Sequence, residues 1–126
     1  MEGDAMRTFI AAATALIVGL TAGIAAPAPA RLKPADIQKS FFNGEPFTAA
    51  TPKGIAFKMV FMPNGKVTRE PVGKSGVKGD GTWKLDKEGF CTTWKGSKPN
   101  CFVVVSTDDN KWSVMKGTAV VAVWSR

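Results

Sequence analysis

From Gly54 to Ser125 the chain is interrupted by turn residues at intervals of roughly eight to twelve residues, which leaves room for short strands and for no long helix. The run Gly54-Ile-Ala-Phe-Lys-Met-Val-Phe-Met62 puts Ile55, Phe57, Met59 and Phe61 on one side of an extended backbone. Pro63-Asn64-Gly65-Lys66 then supplies the Asn-Gly of a tight hairpin. Lys66–Val72 returns, and Gly73–Gly79 is a Gly/Lys-rich connection. Gly81–Asp86 carries Trp83 and Leu85 on one face, and Lys87-Glu88-Gly89 turns the chain again. Strand-like runs follow around Cys91 and Cys101, over Lys111–Lys116 and over Thr118–Ser125, with Asp108-Asp109-Asn110 and Gly117 between them. The pattern predicts a mainly β protein: an antiparallel meander of seven to eight short strands forming a small barrel or a sandwich.

One helix precedes the strands. Pro34-Ala-Asp-Ile-Gln-Lys-Ser-Phe-Phe-Asn-Gly44 has proline near its start, an acid in its first turn and Asn-Gly at its end. Ile37 and Phe41 share a face, with Phe42 beside them, so a short N-terminal helix packed on the sheet is expected. Phe102–Val105 and Ala119–Val123 are apolar on both strand faces, and the helix is a candidate cover there.

Residues 1–30 read as a cleaved signal peptide. Arg7 supplies the positive charge, Phe9–Ala26 the apolar run, and Ala28 and Ala30 the small residues before a peptidase cut placed after Ala30. A cut after Ala28 would put Pro29 directly beyond the scissile bond. The competing reading is a membrane anchor, but the run holds two glycines and lacks a following Lys/Arg cluster. Residues 31–126 then form a single β-rich domain, periplasmic or secreted, of a Gram-negative type, with no transmembrane segment after processing.

The full chain carries a net charge of +7, and excluding Arg7, Glu2 and Asp4 raises this to +8. Such a balance favours anionic partners: lipid headgroups, lipopolysaccharide, anionic glycans or nucleic acid. The lysines, however, are scattered singly from Lys33 to Lys116, the pattern of a solvated basic surface rather than of a dedicated polyanion site.

Only two cysteines occur, and in an oxidising compartment an even pair reads as a disulfide. If a hairpin centres on Gly96, Cys91 and Cys101 lie at equal distances from its tip and face each other. A redox-active pair would want C-x-x-C spacing, and a metal site would want further ligands, of which histidine offers none. No metal and no cofactor are expected.

Catalysis finds little to work with. Without histidine or tyrosine, a Ser-His-Asp or Cys-His arrangement is excluded, and acid–base chemistry falls to lysines or carboxylates. Asp36, Glu45, Glu70, Asp80, Asp86, Glu88, Asp108 and Asp109 lie mostly in or beside turns, where backbone geometry alone explains them. Gly73-Lys74-Ser75 echoes a phosphate loop, but the upstream glycine it needs is Thr68. Asp108-Asp109-Asn110 lacks the spacing and the closing glutamate of a calcium loop. No residue is therefore assigned a catalytic role. The neighbours Trp83-Lys84, Trp94-Lys95 and Lys111-Trp112 suggest a basic stacking surface. Yet adjacent strand residues point to opposite faces, so buried tryptophans beside exposed lysines are equally expected. A closed barrel would turn Trp83, Trp94, Trp112 and Trp124 towards its interior. These four, with Lys84 and Lys95, are the candidate ligand-binding residues.

The strings Phe61-Met-Pro-Asn-Gly-Lys66, Gly79-Asp-Gly-Thr-Trp-Lys-Leu-Asp86, Gly89-Phe-Cys-Thr-Thr-Trp94 and Asn100-Cys-Phe-Val103 together resemble small secreted alphaproteobacterial proteins of the domain of unknown function 995 type. There a Gly-x-Trp strand precedes two cysteines about ten residues apart. The resemblance implies an exported β domain bridged from Cys91 to Cys101 and implies no catalytic residue. Three functions remain open. The first is a non-enzymatic binding module for an anionic or apolar envelope ligand. The second is a protein-interaction module such as a periplasmic hydrolase inhibitor, and the third a carboxylate-based hydrolase. No specific nucleic-acid partner is expected. A lined internal cavity would favour the first, and a packed interior with an exposed apolar patch the second.

Overall fold

A computed structural model describes residues 30–126. The signal-peptide reading lies outside the described residues except for Ala30. Strands β2 (Phe47–Ala50), β3 (Ala56–Phe61), β4 (Lys66–Pro71), β5 (Gly79–Leu85), β6 (Phe90–Trp94), β7 (Asn100–Asp108), β8 (Lys111–Lys116) and β9 (Ala119–Ser125) pair antiparallel in sequence order. β9 returns to β2 through Thr48↔Ser125, Ala49↔Trp124 and Ala50↔Val123, which closes an eight-stranded barrel. Closure removes both free sheet edges, the chief liability of a meander.

The seven strands expected from the spacing are present, and the eighth is β2, whose four residues are too short to show an alternation. One further strand, β1 (Ala30–Arg31), lies on the wall through Ala30↔Ser106 and Arg31↔Val105. It extends the edge of β7 beyond the stretch that β6 covers, which spans Asn100–Phe102.

The cross-strand register decides what faces inward, because directly opposed residues of an antiparallel pair point to the same side. Phe47, Met59 and Arg69 form one inward row. Phe61, Val67, Gly81 and Trp94 form another, Phe90 and Phe102 a third, and Val104, Val114 and Ala122 a fourth. Phe61, Val67, Phe90 and Val104 of these rows are fully buried, whereas Arg69, Trp94 and Phe102 are half-buried. On β9 a bulge opposite Val114–Met115 re-aims the strand before Trp124.

The helix α1 (Pro34–Phe41) starts at proline, has Asp36 in its first turn, and buries Ile37 and Phe41. It does not lie against Phe102–Val105 or Ala119–Val123 as an outer cover. Phe42 packs on Phe61 (centroids 4.2 Å apart), Trp83 (4.5 Å), Phe90 (5.3 Å) and Trp124 (6.4 Å), rings contributed by four different strands. A ring that touches several walls at once sits inside the barrel. Phe41 meets Phe47, Trp112 and Trp124 within about 5 Å. The helix thus stoppers one end of the barrel with two phenylalanines. At this end lie the β3–β4 turn, the β5–β6 turn, the β7–β8 turn and the C-terminus, whose Arg126 guanidinium covers the Phe41 ring at 4.9 Å.

The β3–β4 turn follows the Asn-Gly signal: Gly65 has φ +94°, and the Asn64 side-chain oxygen accepts from the Lys66 N–H. Met62 O accepts from the Trp83 indole N–H at 2.8 Å, so this tryptophan brings a large apolar body to the plug without an orphaned donor. Gly96, at φ +82°, marks the tip of the β6–β7 hairpin, and Cys91 and Cys101 are directly opposed and disulfide-bonded.

Phe42→Ala should cost about 3 to 5 kcal/mol, because one ring serves four walls and no neighbour can collapse into its place. Chemical denaturation followed by near-UV circular dichroism measures this. Reducing the disulfide releases a short loop whose closure contributes about 2.5 to 3 kcal/mol. The melting temperature should fall by at least several degrees, since about 1 kcal/mol moves a domain of this size by roughly 4 to 8 °C. An unchanged melting curve under strong reductant would show that the bridge contributes nothing.

Candidate functional site

Inward-facing residues fill the stoppered half of the barrel but not the other half. A cavity of about 210 Å³ remains above the floor made by Phe61, Phe90 and Trp124, and it reaches Thr51, Phe57 and Val121 near the opposite end. Its wall is apolar apart from Thr51, Thr92 and Arg69. Thr51 is already engaged, its hydroxyl oxygen accepting from the Ile55 N–H at 3.1 Å. Thr92 is the buried polar residue of the described core, 4 % exposed.

Arg69 is the unusual member. It occupies an inward position of β4, two residues after the fully buried Val67 and opposite Met59 and Gly79. Its guanidinium carbon lies 4.4 Å from the Trp94 ring centroid and 5.4 Å from that of Phe57. The cation is therefore held between two aromatic faces. Its Nε is buried and makes no hydrogen bond among the described residues. A buried donor without an acceptor is costly, about 1 to 3 kcal/mol and more for a charged group. A native structure retains one where a partner comes from elsewhere or where strain serves a purpose.

Two glycines on β5 make room for this arrangement. A Cβ at Gly79 would lie 2.9 Å from Arg69 Nε, and one at Gly81 would lie 2.5 Å from Thr93 O and 3.1 Å from Trp94. Their missing side chains let the guanidinium and the indole occupy the interior side by side. Gly76, in the loop between β4 and β5, comes equally close to the mouth. A Cβ there would meet Ile55 and Phe57 at 3.0 Å, so this loop lies directly against the rim.

The four tryptophans divide. Trp124, which sequence position places nearest to the chain end, is the most deeply buried and forms part of the cavity floor. Trp94 lines the cavity wall beside Arg69. Trp83 and Trp112 also face inward, but towards the helix plug. Lys84, opposed to Cys91, and Lys95, in the turn after β6, are exposed and are not brought to the interior with the tryptophans. Lys95 borders a separate outer depression of about 460 Å³ over β4–β6, which it shares with Lys66, Asp80 and three threonines. Among the described residues that surface holds no buried donor without a partner, so the interior cavity is the better-formed site.

Asp86, Cys91 and Cys101 form a compact group among the described residues. Both sulfurs are consumed in the disulfide, which leaves a single carboxylate and no ligand set for a metal.

Arg69, Phe57 and Thr92 were absent from the sequence-based candidates. A signal for Arg69 existed in the alternation of β4: Val67 is inward, so the residue two further on shares its side. No protein-family model matches the chain, and no curated protein or solved structure is significantly similar to it.

Arg69→Met should leave the melting temperature unchanged or raise it, because a flexible apolar side chain fills the same space without an orphaned Nε. The lost cation–π contacts, worth about 0.5 to 2 kcal/mol, are of the same size as the penalty removed. Thermal denaturation checks this, and a fall of 10 °C or more would identify Arg69 as a structural strut.

Proposed function

We propose that this chain is a non-enzymatic binding module whose barrel interior takes a small, largely apolar molecule bearing one anionic group. The observation that carries the reading is the Arg69 Nε, buried without a partner at the wall of an apolar cavity. An incoming carboxylate or similar anion would accept from the guanidinium, a charge-assisted bond of the stronger kind. Thr92 adds a hydroxyl to the same wall, and the rings of Phe57, Phe61, Phe90 and Trp94 contact the apolar body.

Volume limits the ligand. A dry cavity of about 150 Å³ accommodates benzene, and drug-sized ligands occupy about 300 to 1,000 Å³. At about 210 Å³ the cavity suits a single ring or a short aliphatic chain with its acid group. The disulfide is compatible with an extracytoplasmic protein, and in this reading the module acts outside the cytoplasm after export. The likeness of its Gly-x-Trp and cysteine strings to domain 995 proteins agrees with such a location. Among the described residues no helix is long and apolar enough to cross a membrane.

Titration with phenylacetate, hexanoate, benzylamine and benzyl alcohol tests the reading. Quenching of tryptophan fluorescence reports on Trp94 and Trp124, and calorimetry gives the affinity. The acids should bind, the amine should not, and Arg69→Met should weaken the acids by at least about tenfold while sparing the alcohol, as loss of a charge-assisted bond requires. Equal binding of acid and amine, or no binding of any of the four, would overturn the proposal.

A further inference from the structure

The barrel segregates its charge by end. The end opposite the helix plug is formed by the loops 51–55 and 72–78, the β6–β7 turn and the β8–β9 turn. Six lysines sit on it: Lys53, Lys74, Lys78, Lys95, Lys98 and Lys116, all exposed. Among the described residues its one carboxylate is Asp80. Glu70, on the wall nearby, is paired with Lys58 at 3.3 Å. The remaining acids, Asp36, Glu45, Asp86, Glu88, Asp108 and Asp109, all lie towards the plugged end, where Arg31 pairs with Glu88 at 3.2 Å and further cations balance them. More than half of the excess positive charge of the described residues is thus displayed around the mouth of the barrel, where six lysines face one carboxylate. Among the described residues, no carboxylate forms an ion pair with any of the six mouth lysines.

The same end carries apolar side chains that stand exposed among the described residues. Val72 is 65 % exposed and Val77 72 % exposed, both on the loop 72–78, and Val120 at the start of β9 is 42 % exposed. Valines standing out of a ring of lysines match a surface that is anionic at its boundary and apolar just below it. A nucleic acid would be served differently, by exposed aromatic rings on which bases stack. Among the described residues the exposed large apolar side chains are Met62 and these three valines, with no aromatic ring.

We infer that the barrel docks mouth-first on an anionic phospholipid surface, with the mouth lysines at the headgroups and Val72 and Val77 entering the interface. The inference rests on the placement of these charges and valines and stands apart from the ligand reading. Docked this way, the interior cavity faces the bilayer and the helix-plugged end, where the carboxylates gather, faces water.

Flotation of the protein with vesicles of phosphatidylglycerol and phosphatidylethanolamine, and separately of phosphatidylcholine, is the test. Binding to the anionic vesicles alone is expected, falling as salt shortens the screening length. The triple variant Lys74→Glu, Lys78→Glu, Lys98→Glu should lose at least about tenfold in partitioning. Lys33→Glu, Lys39→Glu, Lys111→Glu, which makes the same change in net charge at the plugged end, should retain most of the binding. Val72→Ser with Val77→Ser should remove the part that survives high salt and spare the folded spectrum. Failure to bind the anionic vesicles, equal losses from the two triple variants, or tighter binding to a single-stranded oligonucleotide than to the vesicles would each overturn the inference.

Discussion

A closed eight-stranded barrel encloses more space than its own inward side chains fill, and the entry of Phe41 and Phe42 from one end settles how that space is divided. Phe42 stacks on Phe61 and touches Trp83, Phe90 and Trp124, while Phe41 joins Phe47, Trp112 and Trp124. Phe47, Phe61, Trp83, Phe90, Trp112 and Trp124 therefore each meet a ring of the plug, and the rings left over, Phe57, Trp94 and Phe102, all border the cavity. Close packing of this sort leaves little freedom at the filled end. The helix itself is only eight residues long and would not persist alone. It is held because its last turn is the barrel's core.

The unfilled remainder has a different character. Trp94 and Arg69 occupy it side by side because Gly79 and Gly81 yield their places, and the guanidinium lies over the indole face. A core optimised for stability alone would put an apolar residue at position 69 and a side chain at 79. The cost of an unpartnered Nε is borne in the half of the barrel where the helix contributes nothing. That division, a packed half for stability and a hollow half for binding, follows from the helix filling one end only.

The outer surface repeats the division in charge. Acidic residues gather towards the plug, where Arg31 and Arg126 are also engaged, and the lysines around the mouth form no ion pair among the described residues. Consecutive hairpins produce this arrangement. Every second turn of a meander falls at the same end, so residues far apart in sequence, such as Lys53, Lys74 and Lys116, are brought to one end of the barrel.

Local chemistry made much of the fold legible. The Asn64-Gly65 turn, the inward row of Phe57, Met59 and Phe61, the Cys91–Cys101 pairing about Gly96 and the Pro34 helix start all depend on spacings shorter than about ten residues, which a sequence displays directly. The β2 strand was too short to announce itself, and the depth of Trp124 was hidden by its nearness to the chain end. The sequence by itself determined a small antiparallel β protein with one helix, two cysteines placed to face each other and a positive net charge. Only the tertiary structure decided that the sheet closes, that the helix enters the barrel rather than covering its side, and that Arg69 is drawn into an apolar cavity. It also decided that six singly scattered lysines share one end. These outcomes depend on the closing pair β2–β9 and on the registers that follow from it, contacts between residues some 75 positions apart that no local pattern encodes.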